Sequence, residues 1–253
     1  MNPTAIGLIV LVFVFGGAVL GMSMRAALPE DHFSNESKDT VRLGTGLIAT
    51  MTALVLGLMT ASAKSSFDAQ DTLVKHAAAE ILTLDRILAR YGPETKEIRD
   101  SIRRVVAIRL EDIWPADGSK AIRIEPSTVA LEVEGIADRI RALSPHTEAQ
   151  WWLQRRALEI TEGLLKSRWL MFGGASATIQ VPFLVALAFW LTITFMSFGL
   201  FAPRNATVVA VIFLCALSVS SVVFLILEMD SPFEGVIKVS NAPVRYALSY
   251  LGK

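Results

Sequence analysis

The sequence predicts an all-α membrane protein, with four transmembrane helices per subunit and a cytoplasmic helical domain between helices 2 and 3. Two observations carry this prediction. First, the chain is 53% hydrophobic, which exceeds what a water-soluble domain needs. Second, it contains four apolar segments of about 20 residues each, long enough to cross a bilayer as helices. Helix is expected because backbone groups inside lipid must satisfy their own hydrogen bonds. The segments are 5–24, 44–63, 179–202 and 207–227.

The first apolar segment is predicted to be a retained helix and not a cleaved signal peptide. The first Lys or Arg of the chain is Arg25, which follows the segment, so a basic n-region is missing. The apolar run is also longer than the about 7–15 residues of a signal peptide.

The four segments divide the chain into a first transmembrane pair, a middle domain, a second pair and a tail. These parts are 1–63, 64–168, 169–230 and 231–253. Lys and Arg near the membrane are more frequent on the side of the middle domain, which includes Lys64, Arg155, Arg168 and Lys238. Only Arg25, Lys38, Arg42 and Arg204 lie on the other side. The positive-inside rule therefore predicts that the middle domain and both termini are cytoplasmic.

The middle domain is predicted to be a helical bundle that continues the membrane helices. Apolar residues recur at helical spacing from Leu73 to Leu88. Gly92-Pro93 is expected to end this helix. Further helices are predicted over 94–113, over 126–143, and from Ser144-Pro145 toward Arg168.

Composition argues against several functional classes. The net charge is zero, which indicates no nucleic-acid partner. Cys215 is the single cysteine, so an intrachain disulfide is excluded. His32, His76 and His146 are far apart and form no metalloprotease motif. We expect that the protein is not an enzyme, that it has no catalytic residues, and that it needs no cofactor, apart from the divalent cation considered below.

The second apolar segment has one face of small and weakly polar residues. Leu47, Leu54, Leu58 and their neighbours are predicted to form the opposite, apolar face. Close helix–helix packing is one interpretation, since small residues favour it in membranes. A pore lining is the other, because small and hydroxylated side chains leave room for hydrated ions. The predicted pore-lining residues are Gly46, Thr50, Ala53, Gly57, Thr60 and Lys64.

Three carboxylates follow the fourth segment within seven residues: Glu228, Asp230 and Glu234. A divalent cation binds such oxygens, although the spacing fits no EF-hand loop. The alternatives are solvation, or pairing with a cation such as Lys64. Some compensation is expected, because carboxylates at a helix C-terminus oppose the helix dipole. The sequence leaves open whether a metal binds.

Two stretches of the chain resemble the bestrophin-like bacterial membrane proteins, also described as the DUF4239 domain. One stretch comprises RLGTGLIAT at 42–50, VLGL at 55–58 and ASAKSSFD at 61–68. The other is DSPFEG at 230–235. The likeness covers nearly the whole chain. Its arrangement of two helices, a cytoplasmic helical domain and two further helices is also similar to that of bestrophins, which are oligomeric anion channels.

The resemblance implies a homo-oligomer in the bacterial inner membrane that contacts lipid and conducts inorganic ions passively through a pore lined by helix 2. It also implies an anion preference. The chain departs from bestrophins in one respect, because their pore neck is lined by bulky apolar residues and the small face described above offers none. The alternative function is a non-transporting membrane sensor or scaffold that acts through its cytoplasmic domain. A secondary transporter is less favoured, since the segments contain no charge near the midplane.

Overall fold

A computed structural model of the chain describes residues 2–27, 35–115, 126–173, 181–233 and 235–253. These residues form eight α-helices and a short 3₁₀ turn, with no strand among them. The helices are α1 Pro3–Ala27, α2 Asn35–Tyr91, α3 Lys96–Ile113, α4 Pro126–Arg141, α5 Glu148–Gly173, α6 Val181–Phe201, α7 Ala206–Met229 and α8 Ala242–Tyr250; the 3₁₀ turn is Pro93–Thr95.

Four of these helices, α1, α2, α6 and α7, are long and apolar enough to span a membrane, which confirms the predicted all-α class. Helix α2 is continuous over 57 residues. At 1.5 Å per residue it is about 85 Å long, nearly three times a hydrocarbon core of ~30 Å. It therefore contributes to both compact units of the chain, which are 1–66 with 177–231, and 67–176 with 232–253.

In the first unit, α1 packs along α6 and against α7. Glycines allow the close approach of α1 to α6. A Cβ atom added at Gly21 would overlap the carbonyl oxygen of Met196, and one added at Gly199 would overlap that of Ala18. Gly17 and Gly21 are four residues apart, the spacing at which small residues let membrane helices meet.

Two arginines tie the ends of α1 and α6 together. Arg25 donates to the carbonyl oxygen of Ala202 at 2.7 Å, and Arg204 donates to that of Met22 at 2.6 Å. Ala202 directly follows α6, and Met22 lies close to the end of α1. Positive charge near the C-terminal end of a helix complements the helix dipole.

The predicted break after α2 is confirmed and has a clear cause. Gly92 has φ +151° and ψ 174°, a conformation that is almost restricted to glycine. The fully buried Thr95 closes the turn, because its hydroxyl contacts the carbonyl oxygens of Leu88 and Gly92 at 2.6 and 2.8 Å.

Helix α5 begins later than the sequence predicted. We expected Ser144-Pro145 to start it, but it begins at Glu148. Thr147 accepts a hydrogen bond from the Gln150 backbone N–H, while the Gln150 side chain accepts one from the backbone N–H of His146. This exchange closely resembles a capping box, which sets the helix start more strongly than the proline does.

A buried ion pair lies in the second unit. Arg99 donates to both carboxylate oxygens of Asp85, at 2.8 and 3.0 Å, and the Asp85 side chain is fully buried. The hydrogen bond to Asp85 raises the pKa of Arg99, so the guanidinium stays charged. The core of this unit combines apolar residues of α2, α3, α4 and α5 with Leu251.

Candidate functional site

The membrane-spanning part of α2 is the least covered of the four apolar helices. Only 11% of its most apolar window is buried, compared with 28–39% for the other three. A helix face of this length and hydrophobicity needs lipid or protein against it. Most of the apolar part of α2 is therefore available for contacts outside the described part of the chain.

The predicted pore-lining residues lie on this uncovered surface. Side chains or backbone at these positions are exposed, except for Thr60, which is half-buried. The exposed members are Gly46, Thr50, Ala53, Gly57 and Lys64. A Cβ atom added at Gly46 or Gly57 would meet no atom within 4 Å. Among the described residues, Gly46 and Gly57 of the small face thus have no packing neighbour, in contrast to Gly21 and Gly199.

The hydroxyl groups on this face are engaged with their own helix. Thr50 donates to the carbonyl oxygen of Gly46 at 2.9 Å, and Thr60 donates to that of Leu56 at 2.8 Å. A threonine hydroxyl has one proton, so its remaining capacity is that of an acceptor. In this conformation the two threonines present oxygen acceptors, and not O–H donors, at the surface of α2.

Other residues of α2 fix its rotation in the first unit. Thr45 and Thr52 are buried, and Ala63 is fully buried within the apolar core. The Thr45 hydroxyl lies 3.0 Å from that of Ser197 on α6, within hydrogen-bond distance. This contact was not predicted from the sequence. Thr45 and Thr50 have similar neighbours, so the sequence does not show which of them packs against another helix.

Large apolar residues are exposed beside the small face. Leu54 and Leu58 are about two-thirds exposed, and Leu47 is similar. At 100° per residue the leucine face adjoins the small face, so the expectation that it lies opposite was wrong. Thr45, Thr52 and Ala63 lie together on the packed side. The uncovered surface of α2 thus has two parts with different chemistry.

The acidic residues at the end of α7 differ in burial. Glu228 is only 2% exposed, and Asp230, which follows the helix, is half-buried. The Asp230 backbone N–H donates to the carbonyl oxygen of Ile226, which is the last i→i−4 hydrogen bond at the end of α7; the Ser231 N–H bonds to Glu228 instead. Glu234 lies outside the described residues. Among the described residues, no group of three or more His, Cys, Asp or Glu is placed to hold a metal ion. A calcium ion takes six to eight oxygens, so two carboxylates would need further ligands.

Residues 12–244 match the family model of the Bestrophin-like domain. The match covers most of the chain. The protein belongs to the bestrophin-like family. This confirms the family that the motifs at 42–68 and 230–235 indicated. No curated protein gives a significant match to the sequence.

Solved structures support the same fold. A crystal structure of a mutant bacterial bestrophin homologue from Klebsiella pneumoniae superimposes with a TM-score of 0.67 at 14% identity, covering 98% of this chain and 96% of the other. A second mutant of that homologue gives a TM-score of 0.65 at 13% identity, covering 94% and 95%. Together with the four apolar helices, the family assignment makes this bestrophin-like chain an integral membrane protein.

Proposed function

We propose that this bestrophin-like protein is a homo-oligomeric, passive ion channel whose pore is lined by α2. Family membership supports a channel-type function. The observation that carries the assignment of α2 is its coverage, since only 11% of its apolar window is buried within the subunit. Copies of the chain that surround an axis would cover one part of this surface and expose the other to water.

The small face of α2 is the part proposed to line the axis. Gly46 and Gly57 have open space at the Cβ position, which leaves room for a hydrated ion. The adjoining leucine face is better suited to contact with neighbouring subunits or lipid, because these contacts keep apolar side chains out of water. The contact between Thr45 and Ser197 holds α2 in the rotation that presents both faces.

An anion preference is proposed from the family, and Lys64 is its most direct support in this chain. The threonines of the small face offer acceptor oxygens, which do not attract anions. Lys64 is exposed at one end of the face and carries the charge that would favour anions there. By the positive-inside rule this end, like both chain termini, is proposed to face the cytoplasm.

The alternative function is a non-transporting sensor or scaffold. In that case copies of the chain would bury both parts of the α2 surface against each other, and no water-filled path would form. The helical second unit would then act by recruiting a partner. The two functions therefore differ in ion flux and not in membrane insertion or fold.

The proposal is tested by mass and flux measurements on one preparation. Purified protein is first analysed by light scattering in detergent, where an oligomer of defined mass is expected. It is then reconstituted into liposomes loaded with potassium chloride. Chloride release and potassium release are measured in separate assays. Release of chloride above protein-free liposomes is the expected result. An oligomer that releases neither ion would favour the scaffold, and a monomer would contradict the shared pore.

A further inference from the structure

A cleft lies in the second unit between α2 and α8, away from the proposed pore-lining residues. Its volume is about 430 Å³, within the ~300–1,000 Å³ range of small-molecule sites. One wall carries Arg86 and Arg90, and the other carries Tyr246 and Tyr250. The remaining lining residues are Leu82, Thr83 and Ile87.

The arginine wall carries two positively charged side chains. Arg86 and Arg90 are one helical turn apart, a spacing at which like charges repel. None of the seven described lining residues is acidic. Asp85, the nearest carboxylate in sequence, is fully buried and is bound by Arg99. Within the described part of the chain, Arg90 makes no hydrogen bond or ion pair.

Other contacts hold this wall in place. Arg86 donates to the main-chain oxygen of Lys253 at 3.1 Å, and Arg99 donates to the same oxygen at 3.0 Å. These bonds fix one nitrogen of Arg86 and leave its other N–H groups for a ligand. The Lys253 ammonium lies 5.2 Å from the centre of the Tyr250 ring, a cation–π distance.

The tyrosine wall presents aromatic rings at a fixed spacing. Tyr246 and Tyr250 occupy one face of α8, their ring centres are 4.8 Å apart, and the rings are tilted by 46°. Both rings are substantially exposed to solvent. Exposed aromatic faces of this kind stack on planar bases. Guanidinium groups bind phosphate through paired N–H donors.

We propose that this cleft binds a nucleoside phosphate, with the phosphate held by Arg86 and Arg90 and the base stacked on Tyr246 or Tyr250. The juxtaposition of Arg90, which has no hydrogen bond or ion pair among the described residues, and the partly engaged Arg86 with two exposed tyrosines carries the proposal. Inorganic phosphate and phospholipid headgroups share the charged half of this chemistry but lack the aromatic half. None of the proposed pore-lining residues lines this cleft.

Equilibrium binding to the purified full-length protein in detergent tests the proposal, with AMP, adenosine, inorganic phosphate and a short-chain phosphatidylglycerol as probes. Saturable binding of AMP is expected, with each of the other three at least about tenfold weaker, because each lacks one of the two contacts. Arg90→Gln is expected to weaken AMP binding by about tenfold or more. Tyr246→Leu should also weaken it.

The matched control is Arg155→Gln, which removes an exposed arginine of α5 that does not line the cleft. This variant should bind AMP like the unaltered protein. The absence of saturable AMP binding at millimolar concentration would overturn the proposal. So would phosphate or phosphatidylglycerol binding as tightly as AMP, since the tyrosines would then take no part. If Arg90→Gln and Arg155→Gln weakened AMP binding equally, the loss would reflect the net charge of the protein and not a contact in the cleft, which would also overturn the proposal.

Discussion

Two glycines of the first unit provide a matched test of which helix surfaces are packed. A Cβ atom added at Gly57 on α2 would meet no atom within 4 Å, whereas one added at Gly199 on α6 would overlap the carbonyl oxygen of Ala18. Replacement of either glycine by alanine gains about 1 kcal/mol of helix propensity. At Gly199 this gain is opposed by overpacking against α1, which destabilises the protein by ~1–3 kcal/mol. The propensity term is common to both, so Gly199→Ala should be less stable than Gly57→Ala by about 1–3 kcal/mol.

Thermal unfolding of both variants in the same detergent measures this difference. Gly57→Ala is expected to unfold at or above the temperature of the unaltered protein, and Gly199→Ala several degrees below it. Gly57→Trp should then assemble normally but release no ion from liposomes, because its side chain fills the pore. If Gly57→Ala were destabilised as much as Gly199→Ala, Gly57 would be a packing residue and its assignment to the pore would be refuted.

Three further predictions concern the buried ion pair, the acidic residues and the orientation. Asp85→Asn should destabilise the second unit by about 3 kcal/mol, because it leaves a partly buried guanidinium without its counter-charge; Asp138→Asn, in an exposed pair, should cost less than about 0.5 kcal/mol in chemical denaturation. If Asp230 pairs with Lys64, Asp230→Asn should loosen the oligomer and Lys64→Gln should partly rescue it in light scattering, independently of calcium. A calcium-dependent shift in melting temperature that Asp230→Asn abolishes would favour a cation site instead. Reporter fusions at Lys253 and between α1 and α2 should give opposite signals, and matching signals would contradict the orientation.

The sequence predicted the membrane helices because composition alone determines them. About 20 apolar residues without charge have one stable arrangement in lipid. The break at Gly92 was predictable for a similar reason, since its backbone conformation is nearly restricted to glycine. These features depend on local chemistry that can be read from adjacent residues.

Features that depend on tertiary contacts were not predictable to the same extent. Gly21, Gly57 and Gly199 are the same residue type in similar surroundings, yet two of them pack against a neighbouring helix and one is open. The C-terminal helix α8 was missed, because its nine residues are too few for a strong periodic signal. The buried Ala247 and the neighbouring Leu251 define its packed side only once the core is known.

The central claim is that the small face of α2 lines a water-filled axis, and cysteine accessibility across α2 tests it most directly. Single cysteines are placed at Ala53, Gly57, Leu54 and Leu58 in a Cys215→Ser background and treated with a small water-soluble thiol reagent after reconstitution. We expect rapid reaction at Ala53 and Gly57 and protection at Leu54 and Leu58. Protection at all four positions, or reaction confined to Leu54 and Leu58, would contradict the claim.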